Sequence, residues 1–182
     1  MAKQFPSITT ELKAFIERQH IFFTASATAD SRINLSPKGL DGLRVTGENE
    51  VVFLNRTGSG NETAAHMLAD GRLTIMFCAF DGPPMILRLY GRGRCVPRGS
   101  DEYARYLESA FGGDEPAGAR QIVIQDIDLV QTSCGFGVPL YDYKDERPSL
   151  VRWAESKGED GIRDYWREKN MVSMDGLSTG MD

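Results

Sequence analysis

The stretch Phe53-Leu-Asn-Arg-Thr-Gly-Ser-Gly-Asn-Glu-Thr-Ala-Ala-His66 runs from the end of an apolar strand, through a glycine-hinged loop, into the start of a helix. Strand, loop and helix in that order make an anion cradle. Gly58 and Gly60 are free to take positive φ and turn successive N–H groups toward one point. The helix opening near residues 59–61 adds unpaired N–H groups and the positive end of its dipole. Arg56, Thr57, Ser59, Asn61 and Thr63 bring a guanidinium fork and short side-chain donors to the same place, a set suited to phosphate. A second reading stands beside this one. Ser59 and Glu62 have S-x-x-E spacing, so a capping box accounts for several of the same residues.

The loop fits neither common nucleotide motif. No lysine follows the glycines, as a Walker loop requires, and Thr63 stands where the dinucleotide fingerprint needs its third glycine. The flanking pattern is also one of consecutive strands with little helix between them, which argues against a nucleotide-binding α/β domain.

Working outward, Thr9 caps a helix to about Gln19 with Leu12, Phe15 and Ile16 on its apolar stripe. Strands are expected over 21–28, 33–35, 43–45, 51–54, 72–80, 85–96 and 121–130, with helices over about 62–69 and after Ser100, the latter stopping at Gly112-Gly113. The strand at 85–96 sets Leu87, Leu89, Gly91 and Gly93 on one face and Arg88, Tyr90, Arg92 and Arg94 on the other. Beyond residue 132 two short helices and a tail are expected. The sum is a mainly β, α+β chain in one domain over 1–182: a small antiparallel barrel over about 10–132 and a helical extension over about 133–182.

The chain has 182 residues, 41% hydrophobic and 26% charged, enough for one domain with its own core. A formal net charge of −5 with no long basic run argues against a nucleic-acid partner. With neither a signal-peptide core at the N-terminus nor an apolar run of membrane-spanning length, a cytoplasmic protein without membrane association is expected. Cys78, Cys95 and Cys134 lack C-x-x-C spacing and read as free thiols, and His20 and His66 are too few for most zinc sites. Gly176-Leu-Ser-Thr-Gly180 matches G-x-S-x-G in letters alone, since a nucleophile elbow needs a strand before it and a helix after it.

Ile33-Asn-Leu-Ser-Pro-Lys-Gly39 and Phe53 to Thr63, followed by Arg72-Leu-Thr-Ile-Met-Phe77 and Ile86-Leu-Arg-Leu-Tyr-Gly-Arg-Gly93, together resemble the pyridoxamine-5′-phosphate-oxidase-like, FMN-binding split-barrel family. The resemblance spans about residues 10–130. It implies a six-stranded antiparallel split barrel with peripheral helices, a homodimer with FMN at the subunit interface, and an oxidoreductase acting on a small molecule. On this resemblance Ser36, Lys38 and Gly39 lie beside the flavin, with Lys38 a point charge for the phosphate. Asn55, Arg56, Thr57, Ser59, Asn61 and Thr63 hold the ribityl chain and phosphate, and Arg88 reaches the cofactor across the dimer. A flavin carrier, a haem-binding module and a deazaflavin F420 reductase are the alternatives on the same barrel. The chain departs from the oxidase pattern in two places: Ser59-Gly60-Asn61 replaces an S-R-K triplet, and Leu177 to Asp182 carries no arginine-rich segment.

Overall fold

The computed structural model describes residues 2–181. Eight strands and four helices follow in the order β1 (Lys3–Phe5), α1 (Thr10–Glu17), β2 (Phe22–Ser26), β3 (Asn34–Lys38), β4 (Leu43–Gly47), β5 (Glu50–Arg56), α2 (Glu62–Ala69), β6 (Arg72–Cys78), β7 (Ile86–Pro97), α3 (Asp101–Phe111), β8 (Ala119–Ser133) and α4 (Ser149–Lys169). All strand pairs are antiparallel, and the sheet runs β3-β2-β6-β7-β8-β5-β4 with β1 on β8. The mainly β, α+β reading holds. Among the described residues, the one strand beyond the seven expected segments is the three-residue β1, which exists only through its pairing with β8.

Alternation along the central strands separates two apolar regions. Val51 and Phe53 of β5 join Val123, Ile127 and Val130 of β8 in the barrel core, which α1 closes with Leu12, Phe15 and Ile16. Val52 and Leu54 face the other way, with Ile122 and Ile124, and pack under Tyr103 of α3. Both faces of β5 and β8 are therefore buried, and these strands read as apolar runs.

Local chemistry sets the helix ends. Thr9 accepts from Leu12 N at 3.3 Å and Ser100 from Tyr103 N at 3.1 Å, while Gly112 closes α3 in the left-handed region at φ 66°. Helix α4 is broken at Gly158, φ 65° and ψ 174°, so the two expected short helices are two limbs of one bent element. Gly91 marks a close approach: β8 bulges at Asp128, opposite Tyr90 and Gly91, and a Cβ at Gly91 would stand 1.9 Å from Asp126 O.

Beyond α4 the chain turns back through a bridge between Val172 and Ser178 and lies along α2. Ser178 thus sits in a terminal turn, where its Oγ accepts from Gly180 N, and not on a nucleophile elbow. Among the described residues no helix is long and apolar enough to cross a membrane and no His, Cys, Asp or Glu cluster could hold a metal.

Candidate anion and cofactor cleft

Strand β3, the end of β5, the glycine loop, the first turn of α2 and the head of β8 enclose a polar cleft of about 440 Å³. Six of the sequence-selected residues line it: Ser36, Lys38, Asn55, Ser59, Asn61 and Thr63. Their side chains are bonded to one another in a network. Ser36 Oγ donates to Asn34 Oδ1 at 2.9 Å, and Asn34 Nδ2 donates to Thr63 Oγ1 at 3.0 Å and to Ser26 Oγ at 3.3 Å. Ser26 in turn meets His66 Nδ1 at 3.0 Å, which uses that histidine as a buried partner beneath the cleft.

The cleft's strongest charge is a residue that strand periodicity conceals. Asn55 pairs with Gln121 and Arg56 with Ala119, so Arg120 is the extra residue of a bulge with no partner in β5. A bulge re-aims the side chain it carries. Arg120 is only 4% exposed and sends Nη1 to Gly60 O at 3.2 Å and to Asn170 Oδ1 at 2.7 Å. The Asn55 amide is satisfied at both ends when its oxygen accepts from Arg120 Nη2 at 3.2 Å and Gln121 Nε2 at 3.0 Å and its nitrogen donates to Arg56 O at 3.2 Å.

Lys38 Nζ lies 3.5 Å from the other end of this amide, which is the nitrogen in that orientation, so Asn55 gives the ammonium no acceptor. Neither Lys38 nor Arg120 forms an ion pair with any described residue. Burial, helped by the charge of Arg120, brings Lys38 down to about 8. Burial likewise brings Arg120 down to about 10, with Cys95 and Tyr165 acting in the opposite direction. A buried and a half-buried cation without a carboxylate between them favour any anion that enters. The carboxylate of Glu62 lies at the cleft but accepts from Met174 N at 3.1 and 3.2 Å.

Helix α2 adds to this potential in a way that removes the capping-box alternative. Its N-cap is Asn61 and not Ser59, and no side chain caps the first turn. Asn61 spends its own side chain elsewhere, accepting from Gln121 Nε2 at 3.1 Å and donating to Met181 Sδ at 3.1 Å. Gly58 and Gly60 are not among the positive-φ residues, so the expected left-handed hinge is absent. Both glycines line the cleft, and a Cβ on either would meet nothing closer than 3.4 Å. Their small size leaves space for a ligand rather than relieving strain.

The other four selected residues lie outside the cleft. Successive strand residues face opposite ways, so with Asn55 turned in, Arg56 turns out, toward Leu40 O at 3.5 Å. Burial lowers its pKa, while Asp114 and Glu146 act to raise it. Thr57 is buried as a structural link, donating to Gly118 O at 2.9 Å and accepting from Trp166 Nε1 at 2.7 Å. Gly39 packs near Glu146 and His20 O, beside a neighbouring hollow. Arg88 donates to Ser133 Oγ at 3.0 Å within the same chain.

Sequence reading missed Arg120 and Asn170. The signal for Arg120 was present in Ala119-Arg-Gln-Ile122, a charged and an amide side chain at the head of an apolar strand. Asn170, fully buried, holds Arg120 with one end of its amide and Gly58 O with the other at 3.1 Å. Only the fold brings it within reach.

Residues 8–134 match the family described as pyridoxamine 5′-phosphate oxidase. The chain is also 38% identical over 191 residues to the pyridoxamine 5′-phosphate oxidase family protein UstO of Aspergillus flavus, covering 95% of this chain and 76% of that protein. Among solved structures it resembles HupZ of Group A Streptococcus, with a TM-score of 0.56 and 19% identity over 69% of this chain and 99% of that one. An FAD-binding protein of Mesorhizobium loti follows the same course, with a TM-score of 0.50 and 11% identity over 72% of this chain and 97% of that one. The split-barrel course of the sheet and the matched sequence agree: the chain belongs to the pyridoxamine 5′-phosphate oxidase family.

Proposed function

We propose that this chain is an FMN-dependent oxidoreductase that holds the flavin phosphate between Lys38 and Arg120 and acts, as a homodimer, on a small molecule. The observation that carries the reading is a buried arginine and a half-buried lysine facing one cleft, neither in an ion pair with any described residue. Family membership supports it, and the M. loti structure, which has this fold, is described as binding a flavin. FMN supplies the redox chemistry when bound; the protein supplies position and electrostatics.

Each element has a separate task. Arg120, fixed by Asn170, Gly60 O and Asn55, presents a pre-oriented guanidinium, so little order is lost on binding a phosphate. Lys38 adds a mobile charge from β3, and the uncapped first turn of α2 adds backbone N–H donors. The Ser36–Asn34–Thr63 network lines the route between the phosphate end and β3, where hydroxyl and amide groups suit a polyol chain. The dimer is supported by β3, which ends the sheet path and exposes Leu35 at 64%, with Ile33 just before it at 78%, an apolar edge suited to a second copy.

The direct test is to denature the purified protein and identify what it releases. Two absorption bands in the blue and near ultraviolet are expected. A Soret band would replace the reading with a haem module, and a single shifted band with a deazaflavin enzyme.

A further inference from the structure

Between β8 and α4 the chain carries an aromatic and charged run, Tyr141-Asp-Tyr-Lys-Asp-Glu-Arg147, that the proposed flavin site does not use. The run forms neither helix nor strand and is pinned to the barrel at two points. Tyr141 N donates to Phe80 O at 2.8 Å, and Glu146 Oε2 accepts from Leu40 N at 3.3 Å. Between the pins it roofs a chamber of about 610 Å³ that has no lining residue in common with the flavin cleft. The volume is that of a small-molecule site. Four rings line it in two pairs: Tyr143 lies on His20, centroids 3.6 Å apart and planes 7° from parallel, and Tyr141 leans on Phe80 at 5.6 Å and 30°. Pairing fixes the ring planes and leaves a face free on each tyrosine, Tyr141 being 63% and Tyr143 51% exposed.

The charges around the chamber are not equivalent. Asp81, Asp142 and Asp145 and the cations Arg18, Lys144 and Arg147 are all exposed, where water and salt screen them. Glu146 is the half-buried one, and a charge in that position acts through a lower dielectric. It forms no ion pair with any described residue. Arg56 feels its charge but turns instead to Leu40 O at 3.5 Å. Of the two carboxylate oxygens, Oε2 serves Leu40 N, while Oε1 accepts no hydrogen bond from any described residue and is not a buried atom. The negative field reaches the rings: Tyr143 is held above the usual tyrosine value by burial first, then by the charges of Glu146 and Asp145. Aromatic faces are themselves the negative end of a quadrupole and attract cations.

We propose that this chamber is a second ligand site, separate from the flavin cleft, for a small organic monocation: a primary ammonium on an apolar body. The ammonium donates to Glu146 Oε1, and the body lies against the rings of Phe80, Tyr141 and Tyr143. An anion is disfavoured, because the half-buried charge and the ring faces both repel it. A neutral molecule of the same shape gains the ring contacts but not the charge-assisted bond to the carboxylate. The inference goes beyond the flavin reading and does not rest on it, since the two cavities are lined by different residues.

The probe is phenethylamine, a cation at pH 7, titrated calorimetrically into the full chain with and without saturating FMN. Its matches are 2-phenylethanol, uncharged, and 3-phenylpropionate, an anion. Glu146→Gln removes the charge and keeps an acceptor for Leu40 N; Tyr141→Ala removes an exposed ring and keeps the backbone bond to Phe80. The amine is expected to bind saturably at one per chain in both flavin states, about tenfold or more tighter than either match. It is expected to bind each variant about fivefold or more weakly than the parent chain. Absence of saturable binding, a match that binds as well as the amine, or unchanged binding to either variant would each overturn the inference. Loss of amine binding under saturating FMN would do the same, by placing the amine in the flavin cleft. A protein that takes the amine as expected but no FMN would uphold the chamber and defeat the flavin reading alone.

Discussion

At the residue scale the account turns on which arginine faces the anion. Sequence pointed to Arg56, because it precedes the glycine loop; strand alternation turns it away, and the bulge at Arg120 turns another guanidinium in. Arg56→Ala is therefore expected to leave FMN affinity within about 0.5 kcal/mol, the range of an ordinary surface change. Lys38→Met, which keeps the stem and removes the charge, is expected to weaken it by about 1.5–3 kcal/mol, the scale of a hydrogen bond to a charged group. Fluorescence titration of FMN into both variants checks the pair. Lys38 also gives binding a pH dependence. It titrates near 8 in the free cleft, lowered by burial and by Arg120, and a bound phosphate would raise it again. Binding thus takes up a proton above that value, so FMN affinity should be flat below pH 8 and fall as pH rises past it, by up to tenfold per unit. The same titration from pH 6.5 to 9.5 shows this, and Lys38→Met should abolish the slope.

At the element scale, what was legible in the sequence was local, and what was hidden depended on pairing. Thr9, Ser100 and Gly112 announce helix ends through side-chain oxygens and a residue free to take positive φ, and the structure uses each in that way. The strand at 85–96 announces itself by alternation. Lys3–Phe5 gives no such signal, since a three-residue strand exists only on β8 more than a hundred positions away. Arg120 and Asn170 were hidden for the same reason: a bulge is a property of two strands, and the Arg120–Asn170 bond joins β8 to the end of α4. That bond ties the C-terminal extension, outside the matched residues 8–134, to the cleft. Asn170→Ala should lower stability by about 1–3 kcal/mol by leaving buried partners unpaired, and should weaken FMN binding by releasing the guanidinium. Urea unfolding and FMN titration on one preparation separate the two effects. Gly91→Ala should destabilise without any site effect, by about 1–3 kcal/mol or more, because its Cβ would collide with backbone on β8.

At the scale of the whole molecule, fold and family leave the substrate open, and the charges narrow it. The cleft holds one cationic pair, which suffices for one phosphate. After β8 the cations Arg163, Arg167 and Lys169 pair with carboxylates on their own helix, at 3.8, 2.8 and 2.8 Å, and do not converge on a second anion site. A phosphorylated vitamer would need such a site once the flavin phosphate occupies the first. Turnover of pyridoxine 5′-phosphate by FMN-saturated protein should therefore be poor beside flavin reduction by a nicotinamide donor; efficient vitamer oxidation would contradict this. The proposed homodimer predicts two chains per particle in sedimentation of the FMN-loaded protein, and a monomer that keeps its flavin would remove the case for a shared site.

The central claim, that Lys38 and Arg120 hold a flavin by its phosphate, is tested most directly by comparing FMN with riboflavin, which has the same ring and ribityl chain without the phosphate. Calorimetric titration of both into flavin-free protein at pH 7 is expected to show FMN binding about a hundredfold more tightly, roughly 3 kcal/mol for charge-assisted contacts to the Lys38–Arg120 pair. Equal affinity for the two would contradict the account, because it would show a cleft that recognises the ring and leaves Lys38 and Arg120 without a purpose.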